Sequence, residues 1–158
     1  MTWTVAPEPV EGRVAALLRR DYYDEVASRY WGRPATTAEI DEGLRDDGAE
    51  RLASPTGEFL VGRYEGRPAS CAGLRLVDGA TAELTRVYVR PAFRSSGGGG
   101  LLLAGIEHAA RAYGVRRIRL DTRADLVEAR GLYAKHGYRE VPAFNRGAYA
   151  EHWFAKEL

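Results

Sequence analysis

The sequence has a single cysteine, Cys71, so no disulfide can close within the chain, and no Cys/His spacing in it matches a zinc site. A reducing, cytoplasmic setting is the expectation that follows, with no metal. No apolar run reaches the ~18 residues that a spanning helix requires. The opening segment, MTWTVAPEPVEGR, has neither a basic stretch nor an apolar stretch of the export type, so neither secretion nor a membrane partner is predicted. A charge surplus is missing too: 23 Lys and Arg stand against 22 Asp and Glu, which disfavours a dedicated nucleic-acid binder. Repeats and low-complexity linkers are absent, and 158 residues suit one domain. With 45% apolar and 28% charged residues, that domain is expected to bury an ordinary packed core rather than stay disordered.

Patterning gives the order of elements. Trp3 to Val5 reads as a short strand before Pro7 and Pro9, and Val10, Val14, Leu17 and Leu18 then recur at helical spacing, in a helix running to about Tyr30. Thr37 reads as an N-cap for a second, shorter helix marked by Ile40 and Leu44. Glu58 to Tyr64, Arg67 to Val77 and Ala82 to Val89 read as three antiparallel strands, separated by Glu65-Gly66 and Asp78-Gly79. A helix from the glycine run to Gly114, a strand at Arg117 to Asp121, a helix at Leu126 to His136, and strands at Tyr138 to Val141 and Trp153 to Lys156 complete β-αα-βββ-α-β-α-ββ. Asp125 reads as an N-cap of the last helix, His136 as its cationic C-terminal cap, and Cys71 as a buried, inert thiol.

The most informative stretch is Tyr88 to Leu103, YVRPAFRSSGGGGLLL, in which a strand ends at Pro91 and four glycines open a helix. Helix-start N–H groups lack intrahelical acceptors and carry partial positive charge, and glycine lets a phosphate come close. No lysine follows the glycines, so the Walker pattern fails. The dinucleotide spacing G-x-G-x-x-G fails as well, because Leu102 or Leu103 stands where the last glycine belongs. The bland alternative is a merely flexible loop.

Val89-Arg90-Pro91 followed by Arg94-Ser95-Ser96-Gly97-Gly98-Gly99, and downstream Ala129, Leu132-Tyr133 and Gly137-Tyr138, are similar to the two motifs of the GCN5-related N-acetyltransferase superfamily. The resemblance covers roughly residues 82 to 140. It implies a mixed, mostly antiparallel sheet, splayed at its centre, with helices on both faces. It also implies that acetyl-CoA lies on Arg94, Ser95, Ser96, Gly97, Gly98, Gly99 and Gly100, with the free backbone N–H groups of Val87, Tyr88 and Val89 facing its pantetheine and thioester. The sequence departs from the family at Leu126, where asparagine is frequent.

By the same resemblance, Tyr133 protonates the departing thiolate, against the alternative of a packed core tyrosine. Glu83, eleven residues before Arg94, takes the position of the base used by the histone-acetylating branch, against the alternative of a solvated carboxylate. Glu83 and Thr85 share a strand face. Arg94 either meets a phosphate or braces the loop. Acceptor pockets in this superfamily arise from the first helix pair and the final hairpin, so Tyr30, Trp31, Thr85 and Tyr149 are candidate substrate contacts, with Tyr22, Tyr23 and Trp153 beside them. The expected reaction is direct transfer of acetyl to the primary amine of a small molecule. A protein lysine or N-terminus, or an acyl-CoA-binding module without turnover, are the other readings. Homodimers are common in the superfamily, and no residue pattern here marks an interface.

If the glycine run holds coenzyme A, acetyl-CoA and CoA will raise the Tm of the protein while NADH and ATP leave it unchanged. A ligand at 100 times its Kd adds about 2.7 kcal/mol, and differential scanning fluorimetry reads the result.

Overall fold

The computed structural model describes residues 2–158. Seven strands form one sheet: β1 (Trp3–Pro7), β2 (Gly57–Tyr64), β3 (Arg67–Leu76), β4 (Thr81–Val89), β5 (Arg117–Thr122), β6 (Arg139–Glu140) and β7 (His152–Glu157). Their spatial order is β1-β2-β3-β4-β5-β7-β6. Four α-helices accompany them: α1 (Arg13–Trp31), α2 (Thr37–Leu44), α3 (Gly98–Ala112) and α4 (Val127–Lys135). The expected order of elements, the antiparallel β2-β3-β4 meander and the helices on both faces are all present.

Strand alternation sorts the core into two layers. Phe59, Val61 and Cys71 point to one face and meet Val10, Ala15 and Leu18 at and before α1. Leu60, Ala72, Leu74, Ala82 and Leu84 point to the other, under Leu102, Leu103, Ile106 and Ala110 of α3 and Tyr133 of α4. On β4 the parity then changes: Leu84 faces α3, and so does Val87, three residues on. A bulge accounts for the shift, because the β3–β4 register slips between Cys71 and Gly73, opposite Tyr88 and Thr85, and Arg86 takes a φ of 53°.

The feature that positions the site is the seam between β4 and β5. It is the sheet's one parallel pairing, and it holds for three residue pairs, Thr81↔Arg117, Ala82↔Ile118 and Glu83↔Arg119. Beyond Glu83 the strands part, which is the expected central splay. Across its mouth α1 reaches the start of α4: Arg29 pairs with Glu128 at 2.9 Å and donates to the Asp125 carbonyl, while Arg123 donates to the Val26 carbonyl at 2.8 Å.

Local details differ from the sequence reading. The cap of α2 is Thr36, whose hydroxyl accepts from the Glu39 N–H while the Glu39 carboxylate accepts from the Thr36 N–H, a closed capping box. Arg33 forks onto the same carboxylate at 2.9 and 2.7 Å, and together these bonds lower the Glu39 pKa to about 2. The α4 cap is Leu126 with no side-chain bond, because the Asp125 carboxylate is taken by Arg123 in a bidentate pair at 2.8 Å. His136 does occupy the C-cap of α4. β1 extends to Pro7, tolerated because this is an edge strand.

Phe59 is fully buried between the sheet and the α1 layer. Phe59→Ala is expected to cost about 3 to 5 kcal/mol of unfolding free energy, measured by urea denaturation. A loss under 1 kcal/mol would mean that this layer collapses around the gap.

Candidate active site

The chain leaves β4 through one tight turn, Pro91–Phe93, and enters α3 at Gly97, a left-handed N-cap with φ of 86°. A Cβ at Gly97 would meet no atom within 4 Å, so glycine is needed there for conformation, and the space above it is open. The other three glycines are used differently. A Cβ at Gly98 would lie 2.2 Å from the Trp3 ring, at Gly99 3.0 Å from Leu132, and at Gly100 2.8 Å from His136. The start of α3 is therefore squeezed between β1 and α4. Among the described residues the N–H groups of Gly98, Gly99 and Gly100 have no protein acceptor, and the first helical bond is from Leu101 to the Gly97 carbonyl at 3.4 Å. Three donors without a protein partner thus lie at the place where the glycine run was expected to meet a phosphate.

The flanking polar side chains behave otherwise. Arg94 is engaged within the protein: its Nε donates to the Val89 carbonyl at 2.7 Å and its Nη2 to both Glu25 oxygens at 2.7 and 2.9 Å, which pins the loop to α1. The bracing alternative describes it. The Ser96 hydroxyl donates to the Phe93 carbonyl at 2.6 Å, so its proton is not free for a ligand, and the Ser96 carbonyl accepts from the Trp3 indole at 3.2 Å. Ser95 is exposed in a left-handed turn with φ of 63°.

The unpaired edge of β4 supplies further donors. Arg90 donates its N–H to Ala69 on β3, whereas the Val89 carbonyl points away from β3 and receives Arg94. Alternation then puts the N–H groups of Val87 and Val89 on the splayed side. The same alternation turns the Tyr88 N–H toward β3, against expectation. The Tyr88 side chain instead packs on the α1 face, edge to face with Tyr22 at 6.3 Å.

Tyr133, on α4, is 5% exposed and stacks in a tilted arrangement near Tyr138 and Phe154, each 5.9 Å away. Burial pushes its phenol well above the usual value, with smaller contributions from Tyr22, Tyr138 and Asp121. Burial raises the Tyr22 phenol as well. Both phenols stay protonated at any working pH. Asp121 was not singled out by the sequence; it is exposed at the end of β5 and accepts from Asn145 at 2.8 Å.

Glu83 shares its face with Thr85, as expected, but sits at the closed end of the splay. Arg75 donates to one of its oxygens at 2.8 Å and Arg119 to the other at 3.0 Å. Burial raises its pKa, and the two guanidinium groups outweigh that and hold it below the ordinary carboxylate range. A carboxylate so saturated is a weak base.

The candidate acceptor contacts separate. Tyr30, Trp31 and Tyr149 form an exposed edge-to-face ladder, with centroids 5.1 and 5.2 Å apart. Arg123 and Arg33 already occupy the cation positions over Tyr30 and Trp31, at 5.5 and 5.4 Å. Thr85, with Tyr22 and Tyr23, instead lines a pocket between α1, α2 and β4, a space of about 230 Å³ walled also by Arg19, Gly43, Leu44, Asp47 and Arg86. Its arginines escaped the sequence reading because they lie on separate segments that only the fold joins. A larger hollow of about 300 Å³, beside Val5, His108 and Tyr113, opens on the far side of α3, away from the splay.

Unbonded donors at a helix start and a pocket beside the unpaired stretch of β4 meet at one splayed sheet. The sequence matches the acetyltransferase (GNAT) family over residues 16–138, and the chain belongs to that family. It is 33% identical over 96 residues to an IAA acetyltransferase of Azospirillum brasilense, a match spanning 60% of this chain and 63% of that protein. Among solved structures, a PaiA N-acetyltransferase from Thermoplasma acidophilum in complex with coenzyme A superposes with a TM-score of 0.76 at 17% identity over the full length of both chains. A GNAT family acetyltransferase from Elizabethkingia anophelis with acetyl-CoA bound gives 0.65 at 19% identity, covering 99% of this chain and 98% of that one. At such identities these likenesses establish the fold. Among the described residues no helix is long and apolar enough to cross a membrane.

Cys71 lies under the β4 bulge with its Sγ 3.5 Å from the Arg86 carbonyl, and burial pushes its thiol up to about 12. The native protein is expected to resist thiol reagents at pH 8 and to react once unfolded. Rapid labelling of the folded protein, followed by absorbance, would show that the layer over Cys71 opens readily.

Proposed function

We propose that the chain transfers the acetyl group of acetyl-CoA directly to the primary amine of a small molecule, both substrates being bound at once. The observation that carries this reading is the unpaired stretch of β4: candidate donor groups for a pyrophosphate and a thioester lie along it and at the start of α3, and Thr85 and Arg86 of the same stretch wall a small pocket with α1 and α2. Acetyl-CoA bound at the start of α3 supplies the acetyl thioester. The N–H groups of Gly98, Gly99 and Gly100 hold its phosphates. Those of Val87 and Val89 hold the extended arm and polarise the thioester carbonyl, a contribution of about 3 to 4 kcal/mol where single donors of this kind are removed.

Tyr133 holds its proton at the splay and gives it, or a hydrogen bond, to the departing sulfur. The acceptor amine must be neutral to attack, and its proton passes to water, since Glu83 keeps its two arginines. A pocket of about 230 Å³ with two arginines in its walls favours a small acceptor over a cationic lysine of a protein.

Tyr133→Phe is expected to lower kcat by about 10²-fold or more with little change in KM for acetyl-CoA, in a thiol-release assay over a panel of amines. Because burial raises the phenol, the wild-type kcat profile has no alkaline limb from Tyr133 below about pH 10. An unchanged kcat would remove Tyr133 as the proton donor.

A further inference from the structure

The pocket across the splay carries more positive charge than the protein itself neutralises. Arg19 and Arg86 enter it from α1 and from the β4 bulge, with side chains only 10% and 17% exposed. They share one carboxylate, Asp47, at 3.5 and 3.4 Å from Oδ2, and Asp47 is itself 16% exposed. Its other oxygen accepts from the Ala49 N–H at 3.1 Å. Glu11 comes within 3.7 Å of Arg19, but its side chain is 73% exposed, so water screens it. Two sheltered cations therefore face one sheltered anion.

Neither guanidinium is saturated. Arg19 donates to the Val10 carbonyl at 3.0 Å, while its Nε is buried with no partner. Arg86 donates to Thr85 Oγ1 at 3.2 Å and to the Asp47 carbonyl. Its backbone stands at φ 53°, a conformation that costs a non-glycine residue energy and persists only where the surroundings impose it. That conformation is what turns the Arg86 side chain into the pocket one residue before Val87, whose N–H faces the splay.

We infer that Arg19 and Arg86 bind a carboxylate of the acceptor, so that the acceptor is a zwitterionic, amino-acid-type amine rather than a polyamine or an amino sugar. The inference rests on the acetyl-transfer reading above and narrows it. The carboxylate restores neutrality in a sheltered site, where an unpaired charge is costly. Tyr22, Tyr23 and Leu44 leave an apolar and aromatic wall for the rest of the molecule. Transfer forms one amide C–N bond, breaks the thioester C–S bond, and moves one proton from the amine side to the thiol side, so no further reactant is needed.

The test is thiol release from acetyl-CoA with three matched sets of acceptors: the amino acids, their carboxamides, and the corresponding decarboxylated amines, with spermidine and an aminoglycoside alongside. Amino acids are expected to exceed their amides in kcat/KM by about tenfold or more, the discrimination of one charge-assisted hydrogen bond. In Arg86→Gln that ratio should fall toward one, and in Arg86→Lys it should be partly kept. Equal turnover of acids and amides by the wild-type protein, or a preference for spermidine or the aminoglycoside, overturns the inference and leaves acetyl transfer standing. An acid-to-amide ratio unchanged in a cooperatively melting Arg86→Gln also overturns it. No thiol release with any amine overturns both readings, and the wild-type panel decides even if a variant fails to fold.

Discussion

The structure depends on a hydrogen-bond ladder that stops early. After Glu83 pairs with Arg119, β4 runs on to Val89 with no partner on its β5 side. Buried backbone polar groups left unpaired are costly, so a sheet interrupted at its centre has to be supported from elsewhere. Support comes from three directions: β3 holds the other edge of β4, Arg94 satisfies the Val89 carbonyl, and the Arg29 and Arg123 contacts tie α1 to the start of α4 across the mouth. What is left over, the N–H groups of Val87 and Val89, is what an extended ligand can complete. The site is thus an unfinished sheet, its open edge suited to strand-like pairing by the ligand proposed above.

Arginine does much of the supporting. Arg94 on Glu25, Arg90 on Asp21, Arg75 and Arg119 on Glu83, and Arg123 on Asp125 each join segments distant in sequence or fix a turn. A planar fork reaching two acceptors suits such joints better than a lysine. The cost is that carboxylates which looked available in the sequence are already engaged: Glu83 is spoken for at the closed end of the splay, and Asp125 is held beside α4. Two guanidinium groups share one carboxylate at Glu83 and again at Asp47, and at Asp47 they are the more sheltered, with Arg19 and Arg86 10% and 17% exposed against 33% and 25% for Arg75 and Arg119.

The motifs and periodicities made most of the fold legible, because the β4–α3 crossing is local in sequence: strand, glycines and helix are contiguous, and the physics of a helix start needs nothing else. The role of Tyr133 rested on the Leu132-Tyr133 pair in the same local way. What could not be read was whatever depends on a partner far along the chain. Gly98 looked like a phosphate glycine, and the structure shows a packing demand on it as well, because Trp3, ninety-five positions earlier, lies on it. Arg94 could not be assigned between phosphate and brace until Glu25 was beside it. The bulge at Thr85 to Val87, which sets the faces that Val87 and Tyr88 pack against, leaves no mark in a sequence of ordinary strand residues. Arg19, Asp47 and Arg86 come from three segments and form a site only after folding.

One contact has an evolutionary reading. The Trp3 ring lies where the first side-chain carbon of residue 98 would be, 2.2 Å from it, and its indole N–H holds the Ser96 carbonyl. The two positions therefore form a single steric unit: a larger residue at 98 can be accommodated only by a smaller ring at 3, and a smaller ring leaves the loop carbonyl without its donor. Substitutions at the two positions are therefore expected to be tolerated together rather than singly, which couples the first strand to the start of α3 although almost the whole of the first two-thirds of the chain separates them.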